Sequence, residues 1–386
     1  MTGDENPKKK NRRLLGVVFS LLSLIVLTYI AITLITGRGL SLSQLTSLFR
    51  ARIPVETVDE LHFNVGRNRV FADLGGSFAA AGTLGIQVLN AGGVETLREP
   101  FRMSSPAIMS TEGRAVAFDV GGTSVRVFNG LQITASLETG AAIVAASVNR
   151  NGWFSVCTQD GGAYRSVVVV HDHRGRNVYR VSLASGYVLS AVLSSDNRSL
   201  AVLSLTDDGS RITFYDLSSE SAGNEFYFPD RLILDMRYLP GGEVLAVSPD
   251  SLILIDRNGA GTELYDFSGR RLSGYALDGG FIVLYLLDYG IGHHGRLVTV
   301  DVSSGLLSEL PTDKEIVSLS SGRDFLAVLR SDGLSFYDAD LNEIPPDPEG
   351  LSIAGATRVV ALGRNAALVA GDHSAVVISI EGSAGY

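Results

Sequence analysis

Apolar, β-rich runs recur along this chain at a near-constant interval, and each stops at a polar residue. IQVLN ends at Asn90, VRVFN at Asn129, VVVHD at Asp172, ITFYD at Asp216, LILID at Asp256, LVTVD at Asp301, LSFYD at Asp338 and VISIE at Glu381. The stops are 39, 43, 44, 40, 45, 37 and 43 residues apart, which is the period of a four-stranded propeller blade. A second strand-like run precedes each of them: GSFAAAG from Gly76, RAVAFDV from Arg114, GWFSVCT from Gly152, SLAVLSLT from Ser199, EVLAVS from Glu243, FIVLYLLD from Phe281, FLAVLRSD from Phe325 and AALVAGD from Ala366. Further runs come before these, such as AIVAASV from Ala142 and LILDMRYL from Leu232, and others follow the stops, such as VYRVSLA from Val178.

Four strands per unit, eight times over, predict an all-β, eight-bladed propeller, with seven blades as the alternative if one unit is a decoration. The recurring phrase is the third strand of its blade. The second strands are apolar almost throughout, as burial on both faces requires. After Glu381 no room remains for a fourth strand, so the run DELHFNV near Val58 to Val65 is expected to supply the missing edge and close the ring. Forty-three glycines against eleven prolines fit many short strands joined by tight turns.

The N-terminal residues depart from this pattern. Leu14 to Ile35 form an uncharged apolar run of 22 residues, long enough at about 1.5 Å per residue to cross roughly 33 Å of hydrocarbon. Lys8, Lys9, Lys10, Arg12 and Arg13 precede it. The run exceeds the apolar part of a cleaved signal peptide, and Thr36-Gly37-Arg38 is a poor cleavage site. The expectation is a cytoplasmic tail (1–13), one transmembrane helix (14–35), a juxtamembrane linker (36–55) and an extracytoplasmic propeller (56–386), oriented by the positive-inside bias. From Ile53 onward 24 basic residues face 39 acidic ones, a balance that repels phosphate backbones and argues against nucleic-acid binding. The single cysteine, Cys157, lies in a strand-like run and reads as a buried, inert thiol.

An N-terminal anchor followed by repeats such as FLAVLRSDGLSFYDADLNE resembles the membrane-anchored, WD40-like or YVTN-like propeller proteins of Gram-positive bacteria, many of them in families of unknown function. The resemblance implies architecture and membrane association, since its motifs are blade motifs. The Gly-His and Trp-Asp dipeptides of eukaryotic WD40 repeats are missing, and one tryptophan, Trp153, cannot make the blade-locking pattern of quinoprotein propellers.

Candidate chemistry lies between the repeats. Propellers present ligands mainly on the face carrying the turns between second and third strands. Asp160, Asp207, Asp208, Asp250, Asp288, Asp332 and Asp372 fall in or beside those turns, with His293 and His294 in the sixth blade. They read either as an acidic rim that concentrates cations or a basic partner, or as Asp-Gly turn formers, as in QDGG, DDGS and SDGL. His171 and His173 have ligand-like spacing but belong to the opposite face, and no CxxC or HExxH pattern supports a metal. DADLNE from Asp338 begins like a calcium loop but carries Glu343 where the glycine belongs. No nucleophile elbow, P-loop or dinucleotide fingerprint is present, so neither a cofactor nor a metal is expected.

The resulting expectation is a membrane-tethered, non-catalytic scaffold whose partner is an envelope or membrane protein or a cell-wall component. The rival is an extracytoplasmic hydrolase or lyase acting on carbohydrate or a lactone through carboxylates on one propeller face.

Overall fold

The computed structural model describes residues 58–380, except 112, 160–161, 289–291, 348–352, 354 and 372–373. The expected tail, membrane helix and linker, and the last stop residue Glu381, lie outside the described residues. Within them the chain forms eight antiparallel sheets; in seven the sequence order of strands is the spatial order, and the eighth takes in the first described strand at its edge. These are the eight blades. Their first strands are Val70–Asp73, Pro106–Thr111, Ala142–Val148, Tyr187–Leu193, Asp235–Tyr238, Arg271–Ala276, Ile316–Ser321 and Ala356–Leu362. First strands of neighbouring blades lie against one another at every junction but that of blades 5 and 6, including the eighth against the first, and therefore line the channel.

The continuous apolar character of the second strands has a direct explanation. In Val244–Val247 of blade 5, Val244 and Ala246 pack toward blade 4 while Leu245 and Val247 pack toward blade 6. In blade 3, Phe154 and Val156 face blade 2, and Cys157 faces blade 4. Alternation along a strand thus feeds two cores, and a polar side chain enters only with a hydrogen-bond partner, as Ser155 does by donating to the Ala191 carbonyl. One such core fills each of the eight blade-to-blade interfaces among the described residues. Burial of a single Val, Leu or Ile contributes about 1.5–3 kcal/mol, so these interfaces are the main source of stability.

All seven described stop residues do the same job at the hairpin between third and fourth strands. The side-chain Oδ1 of Asn90, Asn129, Asp172, Asp216, Asp256, Asp301 and Asp338 accepts the backbone N–H two residues on, from Gly92, Leu131, Arg174, Ser218, Asn258, Ser303 and Asp340 respectively, at 2.8–3.0 Å. This is the Asx turn, which only a short side chain with an acceptor oxygen makes. Asp172 is the most enclosed: burial pushes its carboxyl up, but the Arg176 guanidinium and the N–H groups of Arg174 and Arg176 outweigh that and hold it at about 2.

Closure follows the expected route. Val58–His62 pairs with Ser374–Ile380, the third strand of blade 8, and becomes its fourth strand. Leu61, Phe63 and Val65 then pack with Phe78 and Leu89 of blade 1 and with Leu368 and Val377 of blade 8. At the same junction the Asp73 carboxylate accepts the Gly363 N–H at 3.3 Å, tying blade 1 to blade 8 again. Blade 7 is irregular in a way its sequence explains. Its fourth strand is only Glu343–Ile344, and continuing the register would set Pro345, which has no N–H, opposite Ser335. The chain instead leaves the blade, and Pro346–Asp347 pairs with blade 8.

Candidate functional site

The predicted rim residues lie in second-to-third-strand turns, all on one face by topology. Asp160 and Asp372 are outside the described residues. Asp207 and Asp208 are exposed at the turn of blade 4. The turn is set by backbone geometry: the Asp208 carbonyl accepts the Asp230 N–H and the Tyr227 hydroxyl, both at 2.8 Å, and Gly209 has φ +136°. Asp250 accepts the Ser248 hydroxyl at 2.5 Å and stands 3.7 Å from Arg231. Asp288 pairs with Arg296 at 3.0 Å and Arg270 at 3.7 Å, and Asp332 pairs with Lys314. Arg296 also binds Glu309, which accepts the Tyr265 hydroxyl at 2.8 Å, so Asp288 belongs to an ion-pair network joining blades 5 and 6. His293 and His294 are exposed, and the His294 carbonyl accepts the Asp288 N–H at 3.0 Å to close the turn. Three of the five described rim aspartates therefore have local cations, leaving Asp207 and Asp208 as the open negative charge.

The same face carries a feature that charge patterning does not reveal. Of the fourteen large apolar side chains exposed among the described residues, Leu84, Val120, Tyr164, Tyr187, Leu232, Leu234 and Val317 lie at its turns or at the adjoining starts of first strands. Tyr187 is 44% exposed, and Arg165 lies 5.4 Å above its ring while donating to its hydroxyl at 3.0 Å. Tyrosine stacked under arginine, beside exposed leucines and an aspartate pair, has the composition of a protein-recognition surface.

A concavity opens on the opposite side, where first strands run into second strands. It is a cavity of about 300 Å³ inside the channel, lined by blades 2 to 7. Contacts between first strands are sparsest between blades 5 and 6, and there Arg237 reaches across to the Leu277 carbonyl and to Asp278 at 2.6 Å. Beside it the Asp235 carboxyl accepts its neighbour Met236 N–H at 2.8 Å, and Tyr275 of blade 6 lines the same cavity. Burial raises Asp235 to about 6, opposed by the Met236 N–H and reinforced by the Asp278 charge. Tyr275 is pushed up to about 12, by burial first and by Asp235 second. Sequence reading passed over Asp235, although one signal was present: it is the only charge inside the first half of LILDMRYL, an otherwise apolar run.

Other candidates resolve into structure. Cys157 is fully buried and its thiol is pushed up to about 12 by burial. His171 is not in the turn but ends the third strand of blade 3, where it stacks on Phe154 at 4.8 Å, and burial lowers its pKa. His173 is exposed in the turn beyond. Asp338 in DADLNE caps its hairpin through the N–H groups of Asp340 and Asn342. Among the described residues, no three His, Cys, Asp or Glu side chains come together to hold a metal ion.

The fold is shared by solved propellers. The C-terminal WD40 domain of Sif2 superposes with a TM-score of 0.57 at 14% identity, covering 85% of this chain and 98% of that one. BamB from Moraxella catarrhalis superposes with a TM-score of 0.53 at 15% identity, covering 86% and 99%. No curated protein matches the sequence. A profile described as Family of unknown function (DUF5711) matches residues 54–267, from the closing strand to the end of blade 5.

Proposed function

We propose that this chain, which belongs to the Family of unknown function (DUF5711), is a membrane-tethered, non-catalytic scaffold that docks an envelope protein on the face bearing the second-to-third-strand turns. The observation that carries the reading is the set of exposed apolar and aromatic side chains on that face, centred on Tyr187 with its Arg165 partner. Aromatic and arginine side chains dominate binding energy at protein interfaces, and a rim of paired charges sets partner choice and on-rate more than affinity. The open pair Asp207 and Asp208 favours a partner with basic residues beside its apolar contact. The carboxylates of the channel support the same reading: Asp278 is exposed and tied to Arg237, so it is not a free partner to Asp235 for acid–base catalysis.

Tethering through Leu14–Ile35, with the basic tail in the cytoplasm and the propeller outside, rests on the length of that run and its flanking charges. Protease added to intact spheroplasts is expected to digest the propeller, and protection of the propeller would refute this topology.

The docking reading is tested in cells by placing a photo-crosslinking residue at Leu234 on the docking face or at Leu131, exposed on the opposite one. A discrete adduct from Leu234, absent from Leu131 and lost in Tyr187→Asp, is the expected result. Equal capture from both faces would overturn the docking face, and a substrate turned over by the purified protein would overturn the non-catalytic reading.

A further inference from the structure

The channel cavity is a separate site from the docking face, and its chemistry is specific. Asp235 sits half-buried in its wall, where its carboxylate accepts one hydrogen bond from a neutral donor, the Met236 N–H, with Tyr275 in the same wall. An ionised carboxylate has about four acceptor positions, so one such bond leaves it under-satisfied. The nearest cation in the wall is already engaged, since Arg237 donates to the Leu277 carbonyl and to Asp278. Asp235 is thus a partly enclosed carboxylate whose neighbouring cation, Arg237, is shared with Asp278, an arrangement whose cost a bound cation would offset.

The remaining wall indicates what kind of cation. Met109 faces the cavity with 45% of its surface open, although it lies within a strand, and Leu319 and Tyr275 adjoin it, while the Met236 side chain packs into the core between blades 4 and 5. Thioethers, aliphatic groups and an aromatic ring suit an apolar stem, and a ring face also attracts an ammonium. A hydrated metal ion would gain little from such walls. Arg150 and Asp278, the exposed charges at the lip, are screened by solvent and leave Asp235 as the enclosed charge. The volume of about 300 Å³ lies at the small end of ligand pockets, which run from about 300 to 1,000 Å³.

We propose that the channel cavity binds a primary ammonium on a short aliphatic stem, with the Asp235 carboxylate as its counter-ion and Met109 and Tyr275 against the stem. The inference concerns the face opposite the docking surface and stands or falls without it. Two sources supply this chemistry, a free diamine and the lysine side chain of a polypeptide.

Ligand-observed NMR titration of the full chain with 1,5-diaminopentane, with Nα-acetyl-lysine amide and with pentane-1,5-diol tests it. The amines are expected to bind and the diol not to, and Asp235→Asn is expected to weaken amine binding at least tenfold while its melting curve stays cooperative. Met109→Trp, which fills the cavity without touching the charge, is expected to abolish binding as well. Tighter binding of the diamine supports a free ligand, and tighter binding of the lysine amide supports a polypeptide side chain. Absence of amine binding, equal binding of the diol, or undiminished binding to a folded Asp235→Asn protein overturns the proposal.

Discussion

Leu61 stands directly across from Ala375 in blade 8, so the first described strand completes the sheet that the last one leaves unfinished. Leu61 is 6% exposed and, with Phe63, belongs to the core between blades 8 and 1. Phe63 further locks the junction edge-on to Phe71 at 5.2 Å and Phe78 at 6.2 Å. Leu61→Ala is expected to cost about 2–4 kcal/mol, measured as a lower urea midpoint. An unchanged midpoint would show that the ring does not depend on this strand.

Asp172 is the hairpin cap with most at stake, because its carboxylate is enclosed and bonded to two N–H groups and to Arg176. Its folded pKa of about 2 lies below the ordinary 3.8. The stabilisation is therefore present above about pH 4 and lost as pH falls through 2, amounting to about 2 kcal/mol. Asp172→Ala should lower the melting temperature at pH 7 and reduce the difference between pH 7 and pH 3. Equal melting of variant and wild type at pH 7 would refute the cap's importance.

Asp235 has the opposite sign. Its folded pKa of about 6 is raised from 3.8, so the fold gains from protonation at low pH and loses that gain as pH rises from about 4 through 6, by at most about 3 kcal/mol and less after solvent screening. Asp235→Asn, neutral throughout, is expected to melt higher than wild type at pH 8 and to differ little at pH 4. A variant less stable than wild type at pH 8 would contradict this sign.

Gly209 shows why Asp207 and Asp208 first qualify as turn formers. A Cβ built on it, at φ +136°, would lie 2.1 Å from the Phe228 carbonyl oxygen. Gly209→Ala must therefore shift backbone in blade 4, at an expected cost of at least about 2 kcal/mol in urea unfolding. Asp207→Asn, exposed and outside that contact, should leave stability within about 0.5 kcal/mol.

The repeat was legible because each blade solves the same local problem with the same residue types. An apolar run sandwiched between two neighbours recurs eight times and a short acceptor side chain opening the next hairpin seven times, and the period counts the blades. Candidate sites were less legible. Asp250, Asp288 and Asp332 were visible as turn residues, but their cations come from elsewhere in the fold: Arg231 and Lys314 lie in inter-blade loops, and Arg296 lies across a hairpin. Nothing in the linear spacing announces those pairs.

By itself, then, the sequence determined the all-β class, the eight blades, the third-strand stops as turns and the closing strand before the first blade. Strand pairing and hairpin capping are interactions between near neighbours, and burial on two faces leaves an unmistakable apolar run. The tertiary structure decided which side chains share a face. It gathered Tyr187, Leu234 and Val317 from three blades onto one face, and set Asp235 of blade 5 against Tyr275 of blade 6 in a cavity on the other. Those juxtapositions depend on closure of the whole ring, which fixes side chains tens of residues apart in the chain within contact distance and strips water from one carboxylate.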